Sequence, residues 1–246
     1  MSKYHRKQRK GSQDEFVGFW QKVFEKAAPY ARAIGVICAT ALVLVFIVWA
    51  ISGWVEHRAE GAAELFGRAV KIYDADLVTE GLEPKTDEEN PIPRFKTAPE
   101  RANAALAALD ELDKKFGSTD VAKDALLVRA GIEFDLARYD AAVDHYRKSL
   151  ERAPKDAAVA ALAREGIGLA REAQNKLDDA LVEYQAMEPK SGDFYRDRAL
   201  WDQARVYLKK GDKKRALELY KELLTKLPNS QLRDDVQTRL ATIEGT

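Results

Sequence analysis

The sequence is poor in the residues that most chemistry depends on. It has one cysteine, Cys38, and three widely spaced histidines among 246 residues. A single cysteine cannot form an intramolecular disulfide, and this set leaves no cysteine-rich zinc site or disulfide scaffold. A charge surplus is also missing: 40 Lys and Arg stand against 40 Asp and Glu. A dedicated nucleic-acid binder needs a basic excess to displace counterions from phosphate, so nucleic acid is not the expected partner. Gly-rich phosphate loops and strand-like alternation are absent too. Of the histidines, His5 lies in the N-terminal tail, His57 follows a long apolar run, and His145 falls at an outward helical position, where it reads as solvated. Acidic pairs such as Asp178-Asp179 and Asp234-Asp235 read as first-turn helix charges and not as acid/base pairs. The expectation is a protein that is not an enzyme, with no catalytic residues, no metal, no cofactor and no small-molecule substrate.

The neutral total hides an asymmetry. Residues 1 to 33 carry eight Lys or Arg against three acids, a net of +5, and the remainder carries −5. Between Arg32 and Glu56 lie 23 uncharged residues, Ala33 to Val55, enough to cross a bilayer as a helix. Eleven residues between Ile34 and Ile51 are Leu, Ile, Val or Phe, which favours insertion by about 5 kcal/mol before the smaller residues are counted. A cleaved signal peptide is the competing reading. It is disfavoured by a charged leader of over thirty residues and by an apolar run longer than the roughly 7 to 15 residues such signals use. Cys38 is preceded by Ile37 and sits inside the run, so it does not fit a lipid-attachment signal.

The flanks set an orientation. Five Lys or Arg and no acid occupy the first ten residues, whereas Glu56, Glu60 and Glu64 follow the span. Positive charge stays inside, so residues 1–32 are expected in the cytoplasm, 33–55 in the membrane and 56–246 outside, in the periplasm of a Gram-negative cell, with Trp49 and Trp54 near the outer interface. Before the span, Phe16, Val17, Trp20, Val23, Phe24 and Ala27 recur at helical spacing ahead of Pro29. This predicts an amphipathic helix lying on the inner leaflet, with a cytosolic docking helix as the alternative.

Beyond the span a repeat of about 36 residues emerges. Three segments align without gaps, beginning at Ala137, Asn175 and Gly211 and carrying Ala142 with Tyr146, Ala180 with Tyr184, and Ala216 with Tyr220. They resemble the tetratricopeptide repeat (TPR), a helix-turn-helix unit. A small residue sits where two helices cross closely, an aromatic one turn on fills the wedge behind it, and a proline ends the second helix. Pro154 and Pro228 stand at those ends, and Ala130, Gly168 and Ala204 at the small position of the preceding helices. Glu133 and Arg171 replace an expected aromatic, and Arg129 and Gln203 an expected leucine. Ala102 to Phe116 reads as the second helix of a degenerate first repeat, with Val55 to Leu77 as its partner and Gly53, Gly61 and Gly67 as possible kink points. The stretch 78–97, with Pro84, Pro91, Pro93 and Asp87-Glu88-Glu89, reads as a surface loop. Leu232, Val236, Leu240 and Ile243 line a capping helix. The predicted fold is all-α: one N-terminal transmembrane helix, then a TPR α-solenoid of about four helix pairs with a C-terminal cap.

In such arrays the first helix of each pair lines a concave face. The repeat register places Leu127, Val128, Phe134, Leu162, Leu169, Trp201, Arg205 and Leu208 there, with Asp124, Arg198 and Lys209 around them. The alternative is that neighbouring repeats or the acidic loop bury several of them. An apolar groove with a cationic end suits extended polypeptide. TPR domains that hold a chaperone's terminal carboxylate use Lys, Asn and Arg in these helices; Leu, Gly, Glu and Trp predominate here, which argues against that partner.

The short charged tail, aromatic amphipathic helix, single span, Trp54, the stretch Ala63-Glu-Leu65-Phe66-Gly-Arg-Ala69-Val70 and the degenerate repeats together resemble the YfgM-like family of ancillary SecYEG translocon subunits. That resemblance implies a bacterial inner-membrane protein whose partners are translocon components, periplasmic chaperones or client polypeptides. A structural scaffold for another envelope machine, in cell division, motility or outer-membrane assembly, is the alternative.

Overall fold

The computed structural model describes residues 17–23, 25–26, 28–78, 94–152, 154–187 and 193–245. Phe16, Phe24 and Ala27 of the expected tail helix, and the prolines and acids of the expected loop, lie outside these residues. The chain divides into two units, Met1–His57 and Arg58–Thr246.

In the first unit, residues 17–23 and 25–26 are helical, a 3-10 turn covers Ala28–Tyr30, and the following helix α1 runs Ala31–Tyr73. Val17, Phe19, Trp20 and Val23 are exposed on the short helix. The apolar residues of α1 from Val36 to Val55 are exposed as well, Leu42 and Trp49 at 71% each. Continuous apolar surface of this size is unfavourable in water. Helix α1 is long and apolar enough to cross a membrane.

The second unit contains the C-terminal part of α1 and then α2 (Ala98–Phe116), α3 (Asp120–Asp135), α4 (Tyr139–Arg152), α5 (Ala157–Ala173), α6 (Leu177–Met187), α7 (Asp193–Lys209), α8 (Lys213–Lys226) and α9 (Arg233–Glu244). Its described residues contain no strand, only a single bridge between Leu77 and Phe95, backed by Val78 N–H donating to Phe95 O at 2.9 Å. The bridge brings together the two ends of the stretch read as a loop. Phe95 itself is buried, although the sequence reading left it on the surface. The helix starts follow simple chemistry. Thr97, Thr119, Asp156 and Asp212 each accept a hydrogen bond from a first-turn N–H that has no partner within its helix.

Consecutive helices pack antiparallel as pairs α3/α4, α5/α6 and α7/α8, and α3, α5 and α7 stack in a row. The turn inside each pair is built the same way. Ala137, Asn175 and Gly211 all have positive φ, at 57°, 59° and 82°. The next amide donates back five residues: Arg138 to Glu133 O, Lys176 to Arg171 O, and Asp212 to Tyr207 O. This is the Schellman arrangement, which satisfies carbonyls at the helix end and sets the angle of the second helix. Only the third copy uses the glycine the conformation favours.

The repeat residues are placed as the spacing predicts. Ala142, Ala180, Ala216, Ala130 and Ala204 are fully buried, and so is the Tyr184 side chain. A Cβ added at Gly168 would collide with the Tyr184 ring, and one at Gly166 with the Tyr146 ring. The glycines of α5 are therefore cavities for the tyrosines of α4 and α6. Gly61, read as a possible kink, is where the Phe116 ring approaches; a Cβ there would stand 2.7 Å from Cζ. Ala62, Ala69 and Ile72 of α1 bury with Ala105, Leu106, Leu109 and Leu112 of α2, which is the degenerate first pair. Val236 and Leu240 of α9 close the far end against Leu200, Ala216, Tyr220 and Leu223.

His145 corrects the sequence reading. It is not a solvated side chain: its Nδ1 lies 2.7 Å from Glu133 Oε2 and its side chain is 20% exposed. Glu133, standing where the repeat expects an aromatic, is buried because His145 partners it.

Candidate functional site

A groove of about 1050 Å³ opens between α5, α7 and the connection from α8 to α9. Leu169, Tyr195, Trp201, Leu227, Pro228 and Leu232 supply its apolar lining, and Glu165, Asp197, Arg198, Asp202, Lys226 and Ser230 its polar groups. The helical repeat explains the placement. Asp197 and Trp201 are four apart, and Arg198 and Asp202 likewise, so they share one side of α7. The α8–α9 connection arrives because Pro228 ends α8 and leaves a short turn before Arg233.

Beneath the apolar lining lies an ionic seam. Glu165, Glu172 and Asp202 are all buried, at 7%, 7% and 6% exposed. Arg198 pairs with Glu165 at 2.6 Å. Arg205 bridges Glu172 at 2.9 Å and Asp202 at 2.8 Å, and Lys209 reaches Glu172 at 2.6 Å. Tyr184 donates its hydroxyl to Glu172 Oε2 at 3.2 Å. Burial comes first among the forces on Asp202. Against the pull of Arg205, and with Glu165 and Glu172 adding repulsion, it lifts the carboxyl from its ordinary value to about 7. Burial, with Asp202 and Glu172 beside it, also pushes the Tyr184 phenol upward. Asp202 Oδ2 is buried without a hydrogen-bond partner among the described residues. Asp197 is held by neutral donors, the Arg198 N–H at 2.8 Å and the Ser230 hydroxyl at 2.7 Å.

The candidate residues read from the sequence divide among four environments. Leu169 and Trp201 come together in the groove, with the Trp201 ring 5.4 Å from Tyr220 and half packed into the C-terminal core. Arg205 stands directly below, committed to Glu172 and Asp202. Leu162 on α5 is 39% exposed and Leu127 on α3 is half-buried. Val128 packs on the N-terminal core, Phe134 against Tyr139 at 5.5 Å, and Leu208 on the C-terminal cluster.

Sequence reasoning missed Glu165, Tyr195, Asp197, Asp202, Ser230 and Leu232. The three acids had a legible signal, since each falls on the same repeat face as the leucines and arginines that were named. The α8–α9 wall had none, because a proline followed by polar residues reads only as a helix stop.

Three helix pairs with identical turns, small residues at the crossings and tyrosine wedges are the geometry of a tetratricopeptide array, a module for protein-protein interaction. No curated protein matches the chain. The sequence does match the tetratricopeptide repeat-like domain family over residues 28–245, nearly its whole length, and the chain belongs to that family.

Proposed function

We propose that this protein is a membrane-anchored polypeptide-binding module of the bacterial inner membrane. In this reading residues 1–32 form a cytoplasmic tail, 33–55 span the membrane, and 56–246 present the repeats in the periplasm. The groove between α5 and α7 is the single observation that carries it: a trough lined by Leu169, Trp201 and Leu232 and bordered by charge, on the row of first helices that such arrays use for partners. Its work is to hold emerging or extended polypeptide beside the export machinery and pass it to periplasmic chaperones. The likeness to YfgM-like translocon subunits and the +5 charge of the N-terminal segment support that setting.

The test combines topology and partners. Single cysteines at Ser2 and Ser118, in a Cys38→Ser background, are treated with an impermeant maleimide in cells with a permeabilised outer membrane. Labelling at position 118 alone is the expected result; labelling at position 2 alone places the repeats in the cytosol and ends the export reading. Purification in mild detergent should then recover translocon or chaperone components. Recovery of cell-division, motility or outer-membrane assembly proteins in their place would turn the same groove into the docking face of an envelope scaffold.

A further inference from the structure

The carboxylates around the groove are not equally served. Lys226 of the lining and Arg196 share Glu222, at 2.8 and 3.2 Å. Arg198 serves Glu165, and Arg205 and Lys209 converge on Glu172, so Asp202 receives only half of one guanidinium and Asp197 none through its side chain. Asp202 is 6% exposed, lines the groove, and leaves Oδ2 unpaired among the described residues. A buried carboxylate oxygen without a donor is unfavourable, and a cation with several N–H groups is the chemistry that completes it.

We propose that the groove selects extended apolar segments carrying a lysine or arginine side chain, received by Asp202 with Asp197 on the same side of α7. The proposal rests on the polypeptide-binding reading above and adds its selectivity. Leu169, Trp201 and Leu232 take the flanking apolar side chains, while the unpaired Asp202 oxygen takes the charge. A segment with an acidic residue at the same place meets the unpaired oxygen and is rejected by like charge.

The experiment uses the full chain in lipid nanodiscs, with empty nanodiscs as blank, and fluorescein-labelled peptides of alternating valine and serine bearing a central lysine, norleucine or glutamate. The lysine peptide is expected to bind about tenfold more tightly than the norleucine peptide, the value of one charge-assisted hydrogen bond, and the glutamate peptide most weakly. Asp202→Asn should abolish the preference for lysine over norleucine. In the unmodified protein, lowering the pH from about 8 to about 5.5 should narrow the preference as Asp202 takes up a proton, which keeps the test open if the variant folds poorly. Equal binding of the lysine and norleucine peptides, or a preference that survives Asp202→Asn in a variant with an unchanged thermal melt, overturns the selectivity alone. Binding of none of the peptides overturns it together with the polypeptide-groove reading.

Discussion

Two junctions of the array hold their helices together by different means. Where α1 meets α2 and α3, the buried residues are alanine, leucine, isoleucine and phenylalanine, a wholly apolar cluster. Where α5 meets α7, three acids are buried and three cations lie over them. Apolar packing is the more stabilising way to join two helices, and burying ion pairs in its place commonly contributes nothing net. The first junction packs on that apolar cluster, with polar contacts such as Arg129–Asp110 and Tyr73–Asp135 beside it. The ionic seam holds a charge arrangement under the groove, and the two junctions should respond differently to mutation and to pH.

Removing apolar bulk at the first junction should have the largest effect. Leu109 is 2% exposed, and Leu109→Ala is expected to destabilise by about 3 to 4 kcal/mol, measured as the urea midpoint of far-UV circular dichroism. At the ionic seam, Glu172→Ala strips Arg205 and Lys209 of a shared partner. Both cations are partly exposed, at 34% and 53% of their side chains, and can rehydrate, so the expected loss is smaller, about 2 kcal/mol. A larger loss at Glu172 than at Leu109 would reverse the comparison.

The pH dependence isolates the seam further. The Asp202 carboxyl is raised to about 7 in the folded protein, so between the usual carboxylate range and neutrality the native state binds more protons than the unfolded one. Its contribution to stability is then fully present below about pH 4 and is lost as pH rises through about 7. Asp202→Asn should remove most of that downward slope, read from chemical denaturation at a series of pH values. Leu109→Ala should leave the slope unchanged.

The smallest effect concerns the turns. Ala137 holds φ 57°, a conformation that costs a non-glycine residue about 1 kcal/mol. Ala137→Gly should raise the urea midpoint by an equivalent of roughly 1 kcal/mol, less any gain in unfolded-chain freedom. The same change at Asn175 should gain less, because asparagine tolerates this region better.

These differences also explain what could be read in advance. Spacing alone located the alanines at the helix crossings, the tyrosine wedges and the capping face of α9, because those depend on periodicity within one helix. It did not reveal that Ala137 and Asn175 take the same left-handed turn as Gly211, since neither residue type demands it. Nor did it pair His145 with Glu133 or Arg198 with Glu165, contacts between helices whose register no single stretch encodes. The groove was half legible for the same reason: Leu169 and Trp201, with Arg205 in the seam beneath, followed from the first-helix register, while Ser230 and Leu232 belong to a connection that reaches the site only in three dimensions.

The central claim, that the groove between α5 and α7 is where polypeptide binds, is tested most directly by photocrosslinking in intact cells. A benzoylphenylalanine replaces Gln231, exposed at the groove, or Val182, which is 62% exposed on α6 and outside it. Polypeptide adducts from position 231 and none from position 182 are the predicted result. Adducts from position 182 alone, or the same adducts from both, would contradict it.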